Sequence, residues 1–155
     1  MRLLGPLLRK DELRTLPGGF WFLAGNAVAV AIFPKPIAMQ SILHLTVGDP
    51  TASVVGIALG SGTRCLPRGK SVLGLAAAGA ACGAASWLLF RRLGADASLL
   101  PGISILGGVS GAVAEATPLL GLDDNFSMPT VSGVLFLALY WAGQRCGALG
   151  SSGIL

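Results

Sequence analysis

The sequence is short of charge. Asp, Glu, Lys and Arg together supply 12% of its 155 residues, about half of the ~25% that a soluble domain carries. Without those groups a chain cannot cover itself for water, which excludes an ordinary soluble domain; a bilayer removes the need. Cysteine occurs three times, as Cys65, Cys82 and Cys146. An odd, widely spaced set with no CxxC excludes a zinc ribbon and a disulfide scaffold. No basic stripe interleaves with aromatics, which excludes a nucleic-acid face although the net charge is +4. Hydrophobic residues, by contrast, make up 53%, and there are 23 glycines; small residues let membrane helices approach one another.

The apolar runs are continuous and do not alternate at period two, so they read as helices and not as barrel strands. A spanning helix takes ~20 mostly apolar residues. Stretches of about that scale run from Phe20 to Phe33, Ile37 to Gly60 (interrupted by Gly48-Asp49-Pro50), Val72 to Phe90, Leu99 to Leu120 and Thr130 to Gly143. The expected fold is an all-α polytopic membrane helix bundle of about five spans. It divides into a basic segment 1–17, a membrane domain 18–143 and a flexible tail 144–155. The apolar run in the first residues is short and broken by charges, so no cleaved targeting segment is expected. Three GxxxG pairs, Gly56/Gly60, Gly79/Gly83 and Gly107/Gly111, each place two glycines on one helix face, suited to helix packing and to a homo-oligomer.

If Ile37 to Gly60 is one broken span, the loops alternate sides. One face then carries Arg2, Arg9, Lys10, Arg14, Arg64, Arg68 and Lys70, and also Asp123 and Asp124. The other carries Lys35, Arg91, Arg92 and Arg145. The positive-inside tendency puts the first face in the cytosol.

Chemistry gathers on that face. Asp49 interrupts an apolar stretch, where a carboxylate costs several kcal/mol unless paired or hydrated. Gly48 and Pro50 beside it disturb helix geometry, which is tolerated at that depth where backbone lines a cavity. The alternative is a plain turn between two short helices. The loop from Arg64 to Ser71, RCLPRGKS, almost matches a phosphate-binding P-loop but has Arg64 where the first glycine belongs and no strand before it; the P-loop fold is rejected. Arg64, Arg68, Lys70 and Ser71, ahead of a helix start, still suit phosphate, or simply anchor the loop at the headgroups. Glu115 lies within the fourth span. Asp123, Asp124 and Asn125 follow on a short acidic turn, the kind of oxygen set that takes Mg²⁺ together with substrate phosphates; a polar turn capped by Asn125 is the alternative. Phosphoryl transfer needs this combination of cations, metal ligands and a base. His44, the one histidine, suits a packed, hydrogen-bonded place. Trp21, Trp87 and Trp141 lie near span ends, where aromatics anchor at interfaces.

From Gly18 to Pro129 these features resemble the CTP-dependent diacylglycerol kinases of the endoplasmic reticulum, a family related to dolichol and phytol kinases and more distantly to phosphatidate cytidylyltransferases. The matching elements, in order, are Phe33-Pro34-Lys35, Ser41-Ile42-Leu43, Gly48-Asp49-Pro50-x-Ala52-Ser53 followed by Gly56, Lys70-Ser71-x-x-Gly74, and Glu115 followed by Asp123-Asp124-Asn125 and Pro129. Leu75 stands where the family has a small hydroxyl residue. The resemblance implies CTP as phosphoryl donor, a divalent cation such as Mg²⁺, and diacylglycerol as acceptor, in the endoplasmic reticulum or nuclear envelope. It implies Asp49, Asp123 and Asp124 at the metal, with Asn125 supporting the nucleotide. Arg64, Arg68, Lys70 and Ser71 would contact phosphate, and Glu115 would orient the site or accept the hydroxyl proton. A polyprenol kinase, a cytidylyltransferase and a non-catalytic transporter-like or scaffold bundle are the alternatives; a transporter would often show an inverted repeat, and none is evident.

Overall fold

The computed structural model describes residues 17–117 and 122–147, and among these there are helices and no strands. The basic segment 1–16, Pro118 and Gly121, and the tail from residue 148 lie outside the described residues. Five helical runs form the bundle: α1 (Gly18–Ile32), a run from Lys35 to Ala58, α4 (Val72–Arg92), α5 (Leu100–Ala116) and α6 (Asp124–Arg145). The second run is α2 (Lys35–Leu43), a π-turn (His44–Gly48) and α3 (Asp49–Ala58). Gly48-Asp49-Pro50 therefore does not break the helix. Gly48 and Asp49 both keep right-handed helical φ/ψ, and the chain widens by one π-turn ahead of Pro50, which has no N–H to give to the preceding turn. At ~1.5 Å per residue the run reaches roughly 35 Å, enough for a ~30 Å hydrocarbon core.

The fifth helix starts earlier than its apolar run. Asp123 caps it, its side chain accepting from Asn125 N at 2.9 Å, so the expected short acidic turn is the start of α6. Pro129 sits inside the helix, and the carbonyl that its missing N–H frees, Asn125 O, is where α1 approaches: a Cβ on Gly25 would lie 2.6 Å from it. Helices α4 and α6 are long and apolar enough to cross a membrane, and α1 and α5 are shorter and apolar.

Polarity is arranged inside-out. Gln40, Ser41, His44, Ser86, Ser110, Glu115, Ser127 and Ser132 are buried, while Leu23, Val30, Val54, Ile57, Leu59 and Ile105 are exposed. Water would favour the reverse; lipid favours this, with polar groups facing the bundle interior. The bundle is a membrane-associated fold.

Its densest seam joins α4 to α5. Gly79 and Gly83 face Gly108 and Ser104, and a Cβ on Gly108 would lie 2.9 Å from Gly79 O. Gly107 and Gly111 face Ser86 and Cys82, and Gly56 and Gly60 face Ser71. All three GxxxG pairs thus pack against other parts of the same chain. The apolar core lies toward the α4–α5 connection, around Phe90, Ile103, Phe136 and Tyr140, with the Phe90 and Phe136 rings stacked at 5.6 Å. The other end of the bundle is left for polar side chains.

Candidate phosphate and cation pocket

At that end a cavity of about 220 Å³ is lined by Asp49, Arg64, Arg68, Lys70, Ser71, Glu115 and Asp124. These come from α3, the loop before α4, the end of α5 and the start of α6, so four separate parts of the sequence meet there. The remaining wall is Ala52, Ser53, Gly56, Ile57, Gly69, Gly74 and Leu75. None of these carries a chemical signal by itself, although Ala52, Ser53, Gly56 and Gly74 belong to the family-like elements. Leu75, the departure from the family pattern, faces the cavity.

The basic loop is shaped by its own backbone. Leu66 N–H donates to Lys70 O at 3.2 Å and Gly69 N–H to Leu66 O at 3.2 Å, closing a tight turn. Closure puts Arg68 at φ 59° and Gly69 at φ 74°. Glycine adopts that left-handed region freely; for arginine it costs on the order of 1 kcal/mol. Arg68 is held there by its guanidinium, which donates to Asp124 Oδ1 and to Leu122 O.

Lys70 is the centre of the charge network. Its ammonium donates to Glu115 Oε1 at 2.9 Å, to Glu115 O at 2.6 Å and to Asp124 Oδ2 at 3.1 Å. An ammonium has three N–H donors, so all are engaged by protein acceptors. Burial alone would lower the Lys70 pKa; the hydrogen bonds and charges of Glu115 and Asp124 outweigh it and hold the group above its ordinary value. Lys70 is therefore a fixed cation joining the loop to both carboxylates. Glu115 is buried, its Oε2 has no hydrogen-bond partner among the described residues, and both oxygens of Asp124 are taken by Arg68 and Lys70. Asp49 has no ion-pair or hydrogen-bond partner among the described residues.

Ser71 caps α4, its Oγ accepting from Gly74 N at 3.0 Å. The first turn of that helix, whose leading N–H groups have no intrahelical acceptor, therefore opens on the cavity. Two expected residues are elsewhere. Asp123 is turned onto its own helix as the cap, and Asn125 donates its side-chain amide to Asp123 Oδ1 at 2.8 Å. Neither lines the cavity, because an N-cap side chain must point back along the helix it starts. Among the described residues no three His, Cys, Asp or Glu side chains converge on a preformed metal position. His44 is fully buried and bonded to Ser86.

No family model matches the chain, and no solved structure matches it. Three relatives do, each named CTP-dependent diacylglycerol kinase 1. That of Schizosaccharomyces pombe is 36% identical over 142 residues, covering 86% of this chain and 65% of the relative. That of Eremothecium gossypii is 31% identical, with 91% of this chain and 50% of the relative covered. That of Saccharomyces cerevisiae is 28% identical, with 89% and 53% covered. The chain spans between half and two thirds of the length of these relatives. Over that span, with the ordered elements from Phe33 to Pro129, it is similar to the CTP-dependent diacylglycerol kinases.

Proposed function

We propose that this chain transfers the γ-phosphoryl group of CTP to the hydroxyl of diacylglycerol, giving phosphatidate, within a membrane. The observation that carries the reading is the convergence of Asp49, Glu115 and Asp124 with Arg64, Arg68 and Lys70 on one cavity. The relatives' names supply the donor and the acceptor.

The donor set fits a divalent cation that arrives with its phosphates. Mg²⁺ takes one or two carboxylates and completes its shell with phosphate oxygens and water, and Asp49 offers an unengaged carboxylate opposite Asp124. When bound, the cation would neutralise charge on the transferring phosphoryl group. Arg64 and Arg68, with the open first turn of α4, hold the phosphate oxygens. Lys70 touches no phosphate in this scheme; it fixes Glu115 and Asp124 at the pocket wall. Glu115 Oε2 takes the proton of the acceptor hydroxyl. The alcohol oxygen then bonds to the γ-phosphorus as its bond to the departing CDP breaks. A cavity of about 220 Å³, below the ~300–1,000 Å³ of a whole ligand site, fits the phosphate end of the nucleotide. The basic residues on this face support a cytosolic orientation, and the endoplasmic reticulum or nuclear envelope is the membrane the family resemblance implies.

The test is transfer from γ-labelled CTP by purified protein in lipid–detergent micelles. Label in phosphatidate, needing Mg²⁺ and absent with ATP, is expected. Label in dolichyl phosphate instead would change the acceptor, and no transfer to any lipid alcohol from folded protein would overturn the reading.

A further inference from the structure

One group of buried polar residues takes no part in the pocket, and it lies directly ahead of Asp49 in the chain. His44, the first residue of the π-turn, is wholly buried, as is Ser86 of α4. His44 Nε2 is 3.0 Å from Ser86 Oγ, and Ser86 donates its one proton to Cys82 O at 2.7 Å. Ser86 Oγ thus links the ring to the backbone of α4, and Gln40 Nε2 lies 3.4 Å from the same ring nitrogen. Cys82 in turn directs its S–H to His44 O at 3.8 Å. The residue is gripped by α4 at its ring and at its carbonyl. At the far end of the turn, a Cβ on Gly48 would lie 2.7 Å from both Cys82 Sγ and Met128 Cε, so the backbone there is seated against α4 and α6.

The consequence is rotational. A π-turn holds one residue more than the α-helical path it replaces, and one residue of α-helix is about 100° of rotation. Beyond the turn, Asp49, Ala52, Ser53 and Gly56 all line the cavity, spaced as one helix face. An α-helical path through His44–Gly48 would turn that face by about 100° and carry Asp49 away from Lys70, Glu115 and Asp124.

We propose that His44 and Ser86 are positioning residues: the hydrogen bond between them locks the π-turn that aims Asp49 into the cation and phosphate pocket. This rests on the reading of Asp49 as a ligand of the cation, and the test separates the two.

Binding of Mn²⁺ in the presence of CTP, followed by loss of the free-ion paramagnetic resonance signal, is measured on the full chain in micelles, alongside the Mg²⁺ dependence of transfer. Asp49→Asn comes first. If it leaves Mn²⁺ binding unchanged, the ligand reading fails and the positioning role falls with it. If it weakens binding, Ser86→Ala and His44→Leu are expected to weaken it roughly ten- to hundredfold, as lost outer-shell partners do. His44→Gln, which retains a hydrogen-bonding side chain, is expected to stay closer to the parent. Half-saturation by diacylglycerol is expected to be unmoved. In the Asp49→Asn background, Ser86→Ala is expected to add nothing. Full binding by folded Ser86→Ala, or an equal further loss in the Asp49→Asn background, overturns the proposal. Should Ser86→Ala not fold, Cys82→Ala removes the second grip on His44 and is read by the same measurements.

Discussion

Lys70 meets Glu115 twice, at the carboxylate and at the backbone carbonyl, 2.9 and 2.6 Å from its ammonium nitrogen. The double contact ties the basic loop to the last turn of α5 and gives a buried carboxylate its cation among the described residues. Removing one member of such a pair leaves the other uncompensated, which costs ~3–5 kcal/mol where both are buried; Lys70 is partly exposed, so about 2–3 kcal/mol is expected for Lys70→Met, together with loss of transfer. Adding Glu115→Gln to it should return part of the stability and none of the activity. Thermal unfolding in micelles, run beside the transfer assay, checks both halves.

Asp49 and Asp124 should part company under the same two measurements. Asp49 has no side-chain partner to lose among the described residues, so Asp49→Asn is expected to change stability by no more than ~0.5 kcal/mol while lowering transfer roughly hundredfold or more. Asp124→Asn is expected to lower both, because it weakens the hold on Arg68 and Lys70. Equal stability losses in the two variants would contradict the geometry.

Asp123 should behave as a cap. Asp123→Ala is expected to cost about 1 kcal/mol, and Asp123→Ser, which retains a cap oxygen, should recover most of it with an unaltered Mg²⁺ requirement. A raised Mg²⁺ requirement in the serine variant would return Asp123 to the cation.

The pH dependence has a definite sign. The Lys70 pKa is raised above its ordinary 10.5, so the stability that it contributes is fully present below that value and is lost as pH climbs through the folded-state pKa. Unfolding temperatures are expected to show no Lys70-dependent change through neutral and mildly alkaline pH, with a strongly alkaline fall that Lys70→Met diminishes.

Much of the pocket was legible in the sequence. Asp49, Arg64, Arg68, Lys70, Glu115 and Asp124 stand out because charge in an apolar chain is costly and needs a reason. What was not legible is what depends on distance in space. Adjacent carboxylates such as Asp123 and Asp124 cannot be sorted into cap and pocket wall until the helix start is fixed, and the apolar run that marks this helix begins only at Thr130. The pairing of His44 with Ser86 joins residues with nothing in the sequence to link them. The π-turn has no composition of its own, and Gly48-Asp49-Pro50 read as an interruption where the chain only widens.

The close seam between α4 and α5 sets a scale as well as a contact. Lys70 precedes one helix and Glu115 ends the other, and with Gly108 lying almost against Gly79 the two backbones have no slack between them. The seam works as a gauge block for the pocket end: its thickness fixes how far apart cation and carboxylate stand. A single added methyl midway along it would meet backbone and push the two helices apart, and Lys70 and Glu115 with them.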